Sequence, residues 1–277
     1  MERRKFIKIL ASGIVGLTFP YIFKHSDNNL YAKASLQVGN EYFKKMRNFD
    51  QPNPGDIYLK SSQKNIFRSV LKKLNGIQTQ VGYSNFCLLS FDKALKTAED
   101  YAAIGGFTKK EIYFLEMLFY NNPKNYGFYG SRTLNNITNK VDASKAIKIR
   151  KTGNFVYNGL AIETYNKMLE DAGNDVVLTS GIRSVVKQFY LFLRKVKRSG
   201  GNLSLSSRSL APPGYSYHGV GDFDVGKKGY GVLNFTNDFT KTDVYKKLVK
   251  LGYINFRYPR NNYLGVRFEP WHIKLKD

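Results

Sequence analysis

Pro213-Gly214-Tyr215-Ser216-Tyr217-His218-Gly219-Val220-Gly221-Asp222-Phe223-Asp224-Val225-Gly226 sets one histidine and two carboxylates among turn-forming residues. Glu269-Pro270-Trp271-His272, near the end of the chain, repeats the pairing of a histidine with a carboxylate and a turn residue. The 277 residues include three His, and His25 lies in the leading segment, which leaves His218 and His272. One isolated His is usually structural. Two, each beside carboxylates and turns, point to a metal site, because two imidazoles and one carboxylate form a known zinc set that leaves a fourth position to water. Asp222 and Asp224 would face the same way on a strand, so spacing alone does not choose between them.

Around these strings helices and short strands mix. Helices are expected over Ala161–Asp171, over Val185–Arg198 closed by Gly200-Gly201, and over Thr242–Leu251 stopped by Gly252. Val176–Thr179 is a short β-prone run ending at Ser180-Gly181, and Gly265–Leu275 alternates like a strand. A Ser-rich loop is expected to lead to Pro212-Pro213-Gly214. Upstream, Ser35–Arg150 reads as mostly helical. Apolar residues fall at helical spacing over Ile66–Leu74 and Phe86–Ile104, and Thr108-Lys109-Lys110-Glu111 is a capping box opening Ile112–Tyr120.

The first 34 residues have the three parts of an export signal: Arg3, Arg4 and Lys5, an apolar run from Ile9 to Phe23, and Ala32-Lys33-Ala34. The basic string resembles a twin-arginine signal. A cleaved signal and a periplasmic location are the expectation. Apolar residues make up 42% of the chain, so a packed core is within reach. Cys87 alone cannot form an internal disulfide and reads as a small buried apolar residue. The net charge of +23 becomes +19 when residues 1–34, with six Lys/Arg and two Asp/Glu, are removed. Such a charge draws a protein to polyanions. Export argues against nucleic acid, so anionic envelope polymers or a membrane surface are the expected attractors, unless the charge is a solvated Lys-rich face.

The strings taken together resemble the D-alanyl-D-alanine carboxypeptidase family of zinc peptidases, which includes the vancomycin-resistance D,D-carboxypeptidases and belongs with lysostaphin-type enzymes and the hedgehog fold. Pro213-Gly214-Tyr215-Ser216-Tyr217-His218 with Gly221 and Asp224-Val225-Gly226 is similar to its first zinc motif, and Glu269-Pro270-Trp271-His272 to its Glu-x-x-His motif. Ser180-Gly181-Ile182-Arg183-Ser184 with Gln188 is similar to a third element, and all three occur in the family's order. One departure falls between His218 and Asp224, which five residues separate here and six in the family. The Asp-Val-Gly context favours Asp224 over Asp222.

The resemblance implies zinc on His218, Asp224 and His272, with Glu269 as general base and then general acid. It places Arg183 at the oxyanion or substrate carbonyl and gives Ser216 and Gln188 contacts to substrate. Arg183 or Arg208 would bind the free terminal carboxylate. The expected fold class is α+β: a small antiparallel sheet carrying the zinc site with flanking helices, plus a mainly helical N-terminal region. The expected division is a signal peptide at 1–34, a helical region at 35–150 and a catalytic domain at 151–277. Peptidoglycan stem peptides are the expected substrate. A peptidoglycan endopeptidase of the same fold and a non-catalytic cell-wall-binding protein are the alternatives, and Glu269 argues against the second.

Overall fold

The helices expected upstream of the motifs are present in a computed structural model that describes residues 39–275; the expected signal over 1–34 lies outside the described residues. Residues 42–47 are helical, followed by helices Lys64–Val81, Tyr83–Leu88, Phe91–Asp100 and Lys109–Tyr120. Phe67, Val70, Leu71, Leu74 and Ile77 form the buried stripe of the first long helix, at the spacing that puts them on one face. The helical run expected over Phe86–Ile104 is two helices, because the Ser90 hydroxyl accepts from Lys93 N and starts a new one. The Thr108–Glu111 capping box forms as expected, each side chain bonding the other residue's backbone N–H.

These helices do not keep a core to themselves. Phe86, Phe91, Phe114, Leu115 and Phe119 pack with Val185, Phe189, Phe192, Leu193 and Val196 of the helix Val185–Arg198 in one buried cluster. The boundary expected at 150 is therefore no boundary between cores, and Tyr42–Asp277 is one compact unit. Among the described residues no helix is long and apolar enough to cross a membrane.

A second cluster lies under a three-stranded antiparallel sheet. After a short hairpin of β1 (Ala146–Lys148) and β2 (Phe155–Tyr157) come β3 (Val176–Ser180), β4 (Phe223–Lys227) and β5 (His272–Ile273), in the order β3-β4-β5. Phe223 and Val225 of β4 and Ile273 of β5 face helices Leu160–Ala172 and Asp243–Lys250, burying against Met168, Val244 and Leu248. Each large apolar side chain buried this way contributes about 1.5–3 kcal/mol. Successive strand residues point to opposite faces, so the same alternation turns Asp224 and His272 to the other side, where they are cross-strand partners.

Two expectations need correction. Only His272–Ile273 of the segment Gly265–Leu275 is strand; Arg267 N instead bonds Arg208 O, and Glu269 N bonds Tyr258 O. The expected Ser-rich loop contains a helix, Leu203–Ser207, capped by the Asn202 side chain on Leu205 N. Its hydroxyls are consumed by backbone: Ser206 donates to Asn202 O and Ser207 to Ser204 O.

Candidate functional site

His218, Asp224 and His272 converge, with one ligand atom of each within 4.8 Å of the others, and all three side chains are buried. Asp224 sits on the central strand between Ser180 of β3 and His272 of β5. His218 comes from a single helical turn, Tyr217–Gly219, that leads into β4. Its Nδ1 donates to Gly181 O at 2.9 Å, which fixes the tautomer and turns Nε2 toward Asp224 Oδ1, 3.2 Å away. Gly181 has to be glycine here, since a Cβ would stand 1.9 Å from Phe155 O.

The ring of His272 is fixed from the other side. Its Nε2 donates to Asp222 Oδ2 at 2.9 Å, leaving Nδ1 3.3 Å from Asp224 Oδ1. Asp222 is itself held by Arg257 Nε at 2.9 Å and by Leu275 N at 3.2 Å. Asp222 thus stands behind the ring and Asp224 in front of it.

Arg183 donates through Nη2 to Asp224 Oδ2 at 2.8 Å and through Nε to Ser180 Oγ. That ties down the outer carboxylate oxygen. The inner one, Oδ1, is buried and makes no hydrogen bond. An ionised oxygen left bare between two ring nitrogens is costly unless a cation completes it, so the residues present fit a metal at this point. Burial opposes the Asp224 charge, but His218 and Arg183 outweigh burial and hold the carboxyl well below its usual range. Burial, with Arg183 beside it, lowers the pKa of His218. Burial also opposes charge on His272, yet the nearby Asp222 and Asp224 carboxylates raise its pKa to about 9, so a metal at Nδ1 would take the place of a proton.

Glu269 lies beside this cluster, with Oε2 3.7 Å from His272 Nδ1. Burial pushes its carboxyl up to about 7, the range in which one group can both accept and return a proton. His218, Asp224, His272, Glu269 and Arg183 line a cavity of about 540 Å³ that also receives Ser216, Tyr258, Trp271 and a set of Lys and Arg side chains.

The other expected site residues divide. Ser216 lines the cavity, and its carbonyl is held by the Thr133 hydroxyl. Arg183 lines it too, but the bonds it makes go to Asp224 and Ser180, which makes it a positioning residue. Gln188 is buried behind the wall, donating to Ala211 O at 2.5 Å. Arg208 does not reach the cavity. Its guanidinium is buried against Asp56 and bonds Gln51 O at 2.9 Å, so the expected contact with a terminal carboxylate does not fit this structure. The partnership of Asp222 with Arg257 was not legible, because the two are 35 residues apart. Tyr258, whose ring lies 5.5 Å from that of His272, likewise carried no local signal.

The solved structure of the LdcB LD-carboxypeptidase, which reveals the molecular basis of peptidoglycan recognition by that protein, is 23% identical with a TM-score of 0.38. That match covers 47% of this chain and 62% of the solved one. No curated protein matches. The D-alanyl-D-alanine carboxypeptidase family (VanY) matches residues 158–276, a span that contains every residue of the buried His–Asp–His cluster, Glu269 and Arg183. Residues 158–276 of the chain are thus similar to the D-alanyl-D-alanine carboxypeptidase family.

Proposed function

We propose that this protein is a zinc-dependent D-alanyl-D-alanine carboxypeptidase that removes the terminal D-alanine from peptidoglycan stem peptides in the periplasm. The observation that carries the proposal is the bare Asp224 Oδ1 between two fixed imidazoles, with a buried carboxyl 3.7 Å from one of them. His218 Nε2, Asp224 Oδ1 and His272 Nδ1 would hold the ion. When bound, zinc supplies a Lewis acid that makes water a better nucleophile near neutral pH.

The remaining work falls to this chain's own groups. Glu269 accepts the proton of the attacking water and returns it to the departing D-alanine amine. Its burial suits both directions of transfer. Arg183 keeps Asp224 in the one rotamer that presents Oδ1 inward, and Asp222 and Gly181 orient the two rings. The cations of the cavity wall supply partners for a free chain-end carboxylate. A protein that only bound the cell wall would have no use for a buried carboxyl beside the cluster.

Incubating the protein with purified muropeptides, with zinc or with a chelator, and weighing the products tests the reading. Loss of one alanine only with zinc supports it. Unchanged muropeptides under both conditions would overturn it, and cleavage of cross-linked dimers without loss of terminal alanine would make it an endopeptidase.

A further inference from the structure

One helix supplies much of the cavity wall. Lys187, Leu191, Arg194, Lys195 and Arg198 all line the cavity. Their spacing of four, seven, eight and eleven residues from Lys187 puts them on one stripe of the Val185–Arg198 helix. The stripe starts next to Arg183, which holds Asp224, and at 1.5 Å per residue runs about 16 Å from Lys187 to Arg198. Arg267 adds a further cation from a separate segment.

These cations are not spoken for. Among the described residues none of Lys187, Arg194, Lys195, Arg198 and Arg267 forms an ion pair. The Lys187 ammonium lies 3.2 Å from Gln78 Oε1 and 3.9 Å from the Tyr83 ring, both uncharged. Arg194 lies over the Tyr190 ring, and Arg267 bonds Phe235 O between the rings of Phe49 and Trp271. The carboxylates lining the cavity are Asp224, already neutralised by Arg183, and Glu269. A substrate's chain-end carboxylate needs one or two cations. The stripe carries more, and it carries them away from the reacting end.

We propose that this groove selects extended peptides whose residues before the cleaved bond carry free carboxylates, such as an unamidated γ-linked glutamate and a diamino acid with its second carboxylate free, over the carboxamide forms. The proposal rests on the peptidase reading. A strand-like peptide advances about 3.3 Å per residue, so the stripe is about five residues long, the reach of a whole stem. Cations without an ion-pair partner in a partly enclosed cavity discriminate strongly between a charge and its neutral isostere.

The test uses two synthetic pentapeptides ending in D-Ala-D-Ala that differ only in carboxylate against carboxamide at the second and third residues. Hydrolysis is followed with zinc-loaded wild-type protein, and binding by calorimetry with the intact Glu269→Gln protein. The expected result is a preference of about ten-fold for the carboxylate peptide, the worth of one charge-assisted contact. The Arg194→Gln/Arg198→Gln protein should lose most of that preference and Arg194→Lys/Arg198→Lys should keep it; both arginines are exposed, so the fold should survive. Equal binding of the two peptides by wild type, or an undiminished preference in the double glutamine variant, would overturn the proposal. Preferential binding without hydrolysis of either peptide would support the groove and refute the peptidase reading.

Discussion

Replacing Asp222 with asparagine separates the carboxylate behind the His218–Asp224–His272 cluster from the one within it. Asp222 is 3% exposed and accepts from His272 Nε2, Arg257 Nε and Leu275 N, at 2.9, 2.9 and 3.2 Å. An asparagine keeps one acceptor oxygen but turns an NH₂ group toward donors, so one buried contact becomes donor against donor. A buried polar group left unpaired costs about 1–3 kcal/mol. The His272 ring, no longer held by an ionised partner, becomes a weaker and less oriented ligand. Loss of such a partner weakens metal affinity by about 10–100-fold, or about 1.4–2.8 kcal/mol. Zinc affinity measured by competition with a chromophoric chelator should fall by that amount in Asp222→Asn. In Asp224→Asn it should fall much further, because in the proposed site the bare oxygen Oδ1 would itself be a ligand atom. Complete loss of zinc from Asp222→Asn with zinc retained by Asp224→Asn would reverse the two roles and refute the reasoning.

Three further outcomes follow from other parts of the molecule. Arg208→Met should destabilise the protein by about 1–3 kcal/mol in urea unfolding, because the Asp56 carboxylate would lose one of its two ion-pair partners and keep Lys45, Asn202 and Asn53 N; a change under about 0.5 kcal/mol would show the pair to be dispensable. Burial opposes the Glu111 charge, but bonds from Lys73, Ser69 and Thr108 outweigh it and lower the carboxyl pKa. The stability this confers is present above the unfolded value of about 4.3 and lost as pH falls through the lower folded value, so the urea midpoint should drop as the pH is lowered below about 4.3, and less so in Glu111→Gln. Gly181→Ala should lower both the melting temperature and zinc affinity, since its Cβ would collide with Phe155 O and shift the carbonyl that orients His218; unaltered zinc binding would remove Gly181 from the account.

How much of this was legible in the chain depended on how local the cause was. The helix Val185–Arg198 and the start at Thr108 were readable because their caps and apolar periods are written within a few residues. The break at Ser90 and the helix Leu203–Ser207 were not, because a serine signals a cap, a loop or a buried backbone contact with equal force until its partner is known. The His218–Asp224–His272 cluster was readable from motif context, yet the choice between Asp222 and Asp224 turned on register. Asp224 pairs with His272 across β4 and β5, and Asp222, just before the strand begins, reaches the far side of the same ring. The strand expected over Gly265–Leu275 shrank to two residues because its alternation serves contacts with Arg208 and Tyr258 instead of a ladder. The cationic stripe was visible as spacing, but nothing in the chain said which face of the helix would line a cavity.

In the proposed mechanism Glu269 acts on a proton beside a zinc ion that His218, Asp224 and His272 would hold. Zinc content and turnover of a D-Ala-D-Ala-terminated peptide, measured side by side for wild type and Glu269→Gln, test it most directly. Glutamine keeps the size and leaves the ligands in place but cannot accept the proton. The account predicts one zinc per chain in both proteins and a fall in turnover of about 10²–10⁴ in the variant. Equal turnover in the two proteins, or loss of zinc from the variant, would contradict it.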